Sequence, residues 1–138
     1  MLTAAEARHL LDSIKADSQM GLRDRALIGV MVYSFARVSA VVNMNVDDYY
    51  RQGKRSWFRL HEKNGKFHEV PVHHTAEEYL DAYLHAVGMA DQKKTPLFRP
   101  AMGKSGLLRL QRMSRVDARQ RYANRIFALR IGRGMLSG

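Results

Sequence analysis

Two cations carry the chemistry this sequence could do. Arg37 stands just past a very apolar stretch, in FARVSAVVNMNVDD (Phe35 to Asp48), and about 25 residues later Lys63 stands at the tip of an expected β-turn in LHEKNGKFHEVPV (Leu60 to Val72). Arginine keeps its proton at any ordinary pH and presents a planar fork of donors that suits phosphate oxygens. Lysine on a mobile tip can deliver a proton to a leaving oxygen, provided a buried complex lowers its pKa or encloses the transfer. Together they suit gripping a phosphodiester and protonating the oxygen that departs. The same residues admit plainer roles: Arg37 capping the preceding helix or pairing with Asp47 or Asp48, and Lys63 as a solvated turn charge. Lys66 reads as a contact to a backbone phosphate or as another solvated charge.

The charge around these residues points to a polyanion. The chain has 138 residues and a formal net charge of +10. After position 100 it holds nine cations (Lys104, Arg109, Arg112, Arg115, Arg119, Arg121, Arg125, Arg130, Arg133) against the single anion Asp117, so this part carries +8. Such a concentration attracts a polyanion at long range and releases counterions on binding, and nucleic acid is the leading candidate. Lys66, Arg99, Arg115 and Arg119 are the expected DNA contacts; a solvated helix face that keeps the protein soluble is the plainer reading of the same charges.

Several other classes fall away. The longest apolar run, Ala26 to Val32, has seven residues, far short of the roughly 20 needed to span a bilayer. The N-terminus, MLTAAEARHLL, has acidic residues in an amphipathic pattern and does not read as a leader, so the expected location is the cytoplasm. There is no cysteine, hence no disulfide and no cysteine-ligated zinc. His73-His74 on a strand would point to opposite faces, and GKSG at 103–106 lacks the spacing of a phosphate loop, so neither metal nor cofactor is expected. Glu77-Glu78 read as first-turn helix charges.

The positioning elements follow from periodicity and punctuation. Thr3 with Glu6 forms a capping box for a helix over 3–16, and LRDRALIGVMVYSFA (Leu22 to Ala36) reads as a central, fully packed helix ending at Arg37. A short helical continuation over 38–43 follows. Strands are expected at Ser56–His61 and Phe67–Val72, with Arg51–Arg55 as a turn and Asn64-Gly65 favouring a type I′ hairpin. Pro71 marks the last strand as an edge. Thr75 with Glu78 suggests a second capping box, for a helix that Gly88 stops. Ser114 should cap a last helix to about Arg130, with Val116, Ala123, Ile126 and Phe127 inward. The fold class is α+β, mostly helical with a two- or three-stranded antiparallel sheet. Residues 1–131 should form one domain and 132–138 a frayed tail.

The ordered set of these features resembles the catalytic domain of the tyrosine site-specific recombinases, the phage integrase family. Leu2-Thr3 with Glu6-Ala7 opening a helix, ARVSAVV after an apolar helix, VDDY, KNGKFHEVPV and PLF occur in the family's order from about residue 2 to about residue 130. The resemblance implies DNA strand cleavage and rejoining through a 3′-phosphotyrosine, with no metal or nucleotide. It places Arg37 on the scissile phosphate and Lys63 as general acid toward the 5′-oxygen, and it implies possible partners in further recombinase subunits assembled on DNA.

Two departures limit what it implies. Where many relatives carry an acidic residue after Arg-hydrophobic-Ser this chain has Ala40, so support for the arginine comes from Asp47 or Asp48 or is missing. The family's later His-x-x-Arg box and nucleophilic tyrosine have no match: no histidine here is followed three residues later by arginine, and all six tyrosines precede the expected position. The chain therefore reads as the front two-thirds of a catalytic domain, inactive alone. The alternative is a non-enzymatic basic nucleic-acid-binding module.

Overall fold

The computed structural model describes residues 2–137, and side chains as far as residue 131. In chain order the elements are α1 (Ala4–Asp12), α2 (Gln19–Ser34), α3 (Val38–Val42), a 3-10 turn (Val46–Asp48), β1 (Tyr49–Gln52), β2 (Arg55–His61), β3 (Phe67–Pro71), α4 (His74–Val87) and α5 (Arg115–Ser137). The architecture is α+β, as expected, with one antiparallel sheet of order β1-β2-β3.

Helix α1 starts as its sequence dictates. Thr3 Oγ1 accepts the Glu6 N–H and Glu6 Oε1 accepts the Thr3 N–H, each at 3.1 Å, and Leu10 and Leu11 are fully buried. Helix α2 begins earlier than periodicity suggests, because Ser18 Oγ caps it by accepting the Gly21 N–H at 3.0 Å. Only glycine fits at 21: a Cβ there would stand 2.0 Å from the Lys15 carbonyl oxygen. Ala26, Leu27, Ile28 and Val30 are fully buried, which makes α2 the central helix, packed against α4. It stops at Phe35, whose φ of 57° is left-handed and whose ring is 80% exposed. A non-glycine residue holds this conformation only where the surrounding chain requires it.

The sheet corrects two local expectations and bears out a third. Residues 51 and 52 belong to β1, and the first hairpin turns on Gly53-Lys54, with Gly53 at φ 66°. In the second hairpin Gly65 has φ 83° but Asn64 does not have positive φ, so the turn is not type I′. The Gly65 N–H donates to the Glu62 carbonyl at 3.3 Å and the Glu62 N–H to the Lys66 carbonyl at 2.8 Å, the pattern of a type I turn closed by a glycine bulge. Lys63, Asn64 and Gly65 thus form a three-residue loop. The strand after it ends at Pro71, opposite Trp57 and at the sheet edge, where a missing N–H costs nothing.

Helix α4 is capped by His73, whose Nδ1 accepts the Thr75 N–H at 3.1 Å, and not by Thr75, which is buried inside the first turn. Gly88 ends it at φ 73°, as expected. Ser114 caps α5 as expected, its Oγ accepting the Asp117 N–H at 3.0 Å. The face α5 buries was misjudged. Ala118 and Leu129 are buried and Tyr122 and Ile126 packed beside them, whereas Val116 (71%) and Phe127 (65%) face solvent with Ala123. The helix docks through the face that sets Arg125 Nη2 at 3.7 Å from buried Asp24 Oδ2, which apolar spacing alone does not register. The expectation of fraying at 132–138 falls on side chains outside the described residues.

Candidate nucleic-acid interface

Arg37 owes its placement to a change of chain direction. After the left-handed Phe35, Arg37 adopts extended backbone (φ −68°, ψ 146°) as the residue before α3, where it makes no side-chain cap hydrogen bond. Its side chain is exposed, and among the described residues neither a carboxylate nor a carbonyl engages it. The carboxylates expected to support it are occupied elsewhere. Asp47 Oδ2 pairs with Lys94 Nζ at 2.7 Å, and buried Asp48 accepts the Asn45 N–H at 2.8 Å through Oδ2 while its Oδ1 faces β2.

The three-residue hairpin loop brings Lys63 to the same place. Arg37 and Lys63 line one cleft of about 480 Å³, whose floor is Ala36, Ser39 and Ala40 on one side and the end of β2 on the other. Two cations, both exposed and neither neutralised, therefore converge on a space large enough for a phosphodiester. A site of this kind meets an anion with donors already aimed at it.

Sequence reasoning missed two histidines in this cleft, His61 and His68. His61 Nε2 lies 2.9 Å from Asp48 Oδ1, and Arg59 Nη1 lies 3.5 Å from the same oxygen. His68 pairs with Glu62 across the hairpin. Arg59 and His61 are two apart on a strand and so share a face, but their common partner Asp48 lies 11 and 13 residues earlier, which strand periodicity does not reveal.

The remaining expected contacts divide. Lys66 is exposed on the hairpin, and Arg115 and Arg119 are exposed on the first turns of α5, all three without a side-chain partner among the described residues. Arg99 does not belong with them. It is 5% exposed, its Nε donates to the Pro96 carbonyl at 3.0 Å, and its Nη2 donates to Gln92 Oε1 at 3.0 Å and Thr95 Oγ1 at 2.8 Å. Burial lowers its pKa from the usual arginine value, and its donors serve the fold. The basic segment is also partly committed: Arg112 donates to the Val42 and Met44 carbonyls and to Asn45 Oδ1, and Arg121 and Arg125 lie beside Asp117 and Asp24.

No tyrosine lines the cleft. Tyr83 is buried and donates to the Leu97 carbonyl at 2.6 Å, and Tyr49 donates to Asp81 at 2.8 Å; burial pushes both phenols well above their usual pKa. Tyr122 is half-buried on α5, beside a separate hollow with Leu2 and Phe35. The rings of His73 and His74 stack 4.2 Å apart, contrary to the expectation of opposite faces, because both lie past the end of β3. Among the described residues no three side chains are grouped to hold a metal ion.

The profile of the phage integrase family matches residues 1–127. Over 87 residues the chain is 38% identical to the tyrosine recombinase XerD of Mycobacterium leprae (strain TN), an alignment covering 60% of this chain and 27% of that protein. It is 30% identical over 103 residues to the tyrosine recombinase XerC of Vibrio atlanticus (strain LGP32), covering 74% and 32%, and 35% identical over 105 residues to XerC of Rhodospirillum centenum (strain ATCC 51521 / SW), covering 74% and 30%. The chain thus spans less than a third of the length of these curated relatives. With a match over nearly its whole length, the chain belongs to the phage integrase family.

Proposed function

We propose that this domain binds double-stranded DNA with a phosphodiester seated between Arg37 and Lys63, and that it supplies the phosphate-clamping and acid-donating half of a strand-transfer site. The observation that carries this is the convergence of two unpaired cations on one cleft. Arg37 holds the non-bridging oxygens, where its fork gains strength as charge builds in the transition state. Lys63 protonates the 5′-oxygen as the bond to phosphorus breaks. Lys66, Arg115 and Arg119 contact backbone phosphates and supply sequence-independent affinity. The attacking tyrosine and a second arginine would have to come from residues other than those in the cleft. The relatives are named tyrosine recombinases, which fits DNA recombination or integration, a bacterial or phage nucleoid setting, and assembly with other recombinase subunits on DNA. Among the described residues no helix is long and apolar enough to cross a membrane.

The test has two parts. Titrating labelled duplex at several salt concentrations should give a steep linear fall of log K with log salt and little sequence preference; a flat line refutes DNA binding through phosphates. On a nicked suicide substrate this chain alone should form no covalent adduct, since no nucleophile stands in the cleft. An adduct abolished in Tyr122→Phe would show that the nucleophile lies within this chain.

A further inference from the structure

We propose that His61 is a third phosphate contact in the Arg37–Lys63 cleft, acting as an imidazolium oriented by Asp48. This rests on the reading of the cleft as a phosphodiester site. A carboxylate only accepts hydrogen bonds, so the 2.9 Å contact to Asp48 Oδ1 assigns a proton to His61 Nε2. Asp48 is itself held in place: it is 4% exposed, and its other oxygen accepts the Asn45 N–H at 2.8 Å. A buried, hydrogen-bonded carboxylate that fixes one ring nitrogen determines which nitrogen is left for a ligand. Here that is Nδ1, which has no partner among the described residues. The His61 side chain is 44% exposed and lines the cleft beside Lys63.

Nδ1 of a neutral ring would present a lone pair to an anion. Protonated, it becomes a donor, so phosphate binding and proton binding at His61 favour one another. The groups around the ring act in both directions. Asp48, from the 3-10 turn, and Glu62, from the hairpin, favour a positive ring; Arg59 on the same strand, Arg37 before α3, Lys63 in the loop and His68 on β3 oppose it. A phosphate entering among Arg37, Lys63 and His61 adds negative charge next to the ring and tips that balance. Affinity is therefore greatest where the ring is protonated and falls as pH rises through its titration.

The experiment is a pH titration of this chain by NMR, with the His61 ring and the backbone amides followed without and with a saturating DNA duplex. We expect the amides around residues 37–40 and 62–66 to shift on adding DNA. The midpoint of the His61 ring titration should rise by at least about half a unit, equivalent to roughly threefold weaker DNA binding above the transition than below it. In His61→Gln that part of the pH dependence should vanish, while His68→Gln should keep it. An unmoved His61 midpoint with shifted amides overturns the imidazolium contact and leaves the cleft reading standing. A full pH dependence persisting in His61→Gln likewise overturns the contact. Unshifted amides overturn the cleft reading itself, and the contact with it.

Discussion

Two kinds of arginine contrast in this molecule: those whose donors the fold occupies and those whose donors are open. Arg23 is fully buried, its Nη1 donating to the Arg99 carbonyl at 2.9 Å and its Nη2 to Asp24 Oδ1 at 2.6 Å. Arg99 and Arg112 are engaged in the same manner by carbonyls and side-chain oxygens. Arg37, Arg115 and Arg119 are exposed and make no such contacts among the described residues. Burying a guanidinium donor without a partner is costly, and among the described residues Arg25 Nε is the exception, on a guanidinium that lies 4.2 Å over the Tyr79 ring; a guanidinium that meets a ligand keeps its donors open. The state of its donors, and not its residue type or the local density of charge, tells which arginine serves the fold and which is open to a ligand.

The comparison breaks most visibly at Arg23. Arg23→Ala should lower stability by about 3–5 kcal/mol, because it leaves the buried Asp24 carboxylate only the Arg125 guanidinium at 3.7 Å. Chemical denaturation measures this, and a loss under about 1 kcal/mol would mean that the interior arginines are not what holds α2 to the 96–99 segment. Arg37→Ala should do the reverse. In a longer protein that carries this domain with a nucleophile, cleavage should drop by about 10²–10³-fold, while melting is unchanged and DNA affinity changes less than about threefold. Lys63→Ala should also slow cleavage, but a bridging 5′-thiol, which needs no proton to leave, should restore its rate and not that of Arg37→Ala. Rescue of the arginine variant instead would reverse the two roles.

A smaller effect sharpens the comparison on α5. Replacing Arg115 and Arg119 by Ala together should reduce the slope of log K against log salt by roughly one per lost phosphate contact and leave the melting temperature in place. Lowered melting with an unchanged slope would move both residues into the structural group.

The smallest effect carries the distinction over to histidine. The His73 ring is committed to the fold, as its Nδ1 accepts a helix N–H. Desolvation, then the neighbouring His74 and Arg8 charges, lower its pKa from the ordinary value of 6.5. A lowered pKa in the folded state means stability that is complete above pH 6.5 and diminishes as pH falls through the folded value. Melting of the wild-type chain should therefore drop more between pH 8 and pH 5 than that of His73→Asn, which caps the helix without titrating. Parallel curves would show that the ring's protonation does not matter to α4.

The legible parts of the sequence were those with a short-range physical cause. The Thr3–Glu6 box, Gly88 as the stop of α4, Pro71 at an edge and the hairpin carrying Lys63 each follow from a residue and its near neighbours. Arg37 and Lys63 were found because their motifs resemble those of a family. What failed depended on distant partners. Arg99 looks like any cation until Gln92, Thr95 and Pro96 are seen around it. Phe127 and Val116 fit an apolar stripe as well as Ala118 and Leu129 do, and only packing against α1, α2 and α3, which also sets Arg125 beside Asp24, shows which stripe is buried. His61 gained a role only when the 3-10 turn put Asp48 beside it.

The Arg112 contacts to the Val42 and Met44 carbonyls join residues 70 and 68 positions apart, at 2.8 and 3.1 Å. Arg37 and the hairpin are separated by far less chain. Closing the longer loop has a larger entropic cost and waits on prior collapse, so the cleft should assemble early and the Arg112 clasp late in folding. A contact made after the rate-limiting barrier governs how fast the protein comes apart, not how fast it forms. Arg112→Ala should then steepen the time course of unfolding while the refolding arm of a chevron plot stays where it was. If the refolding arm moves instead, the clasp is already closed at the barrier, and residues 42–44 and 112 find each other before the Arg37–Lys63 cleft exists.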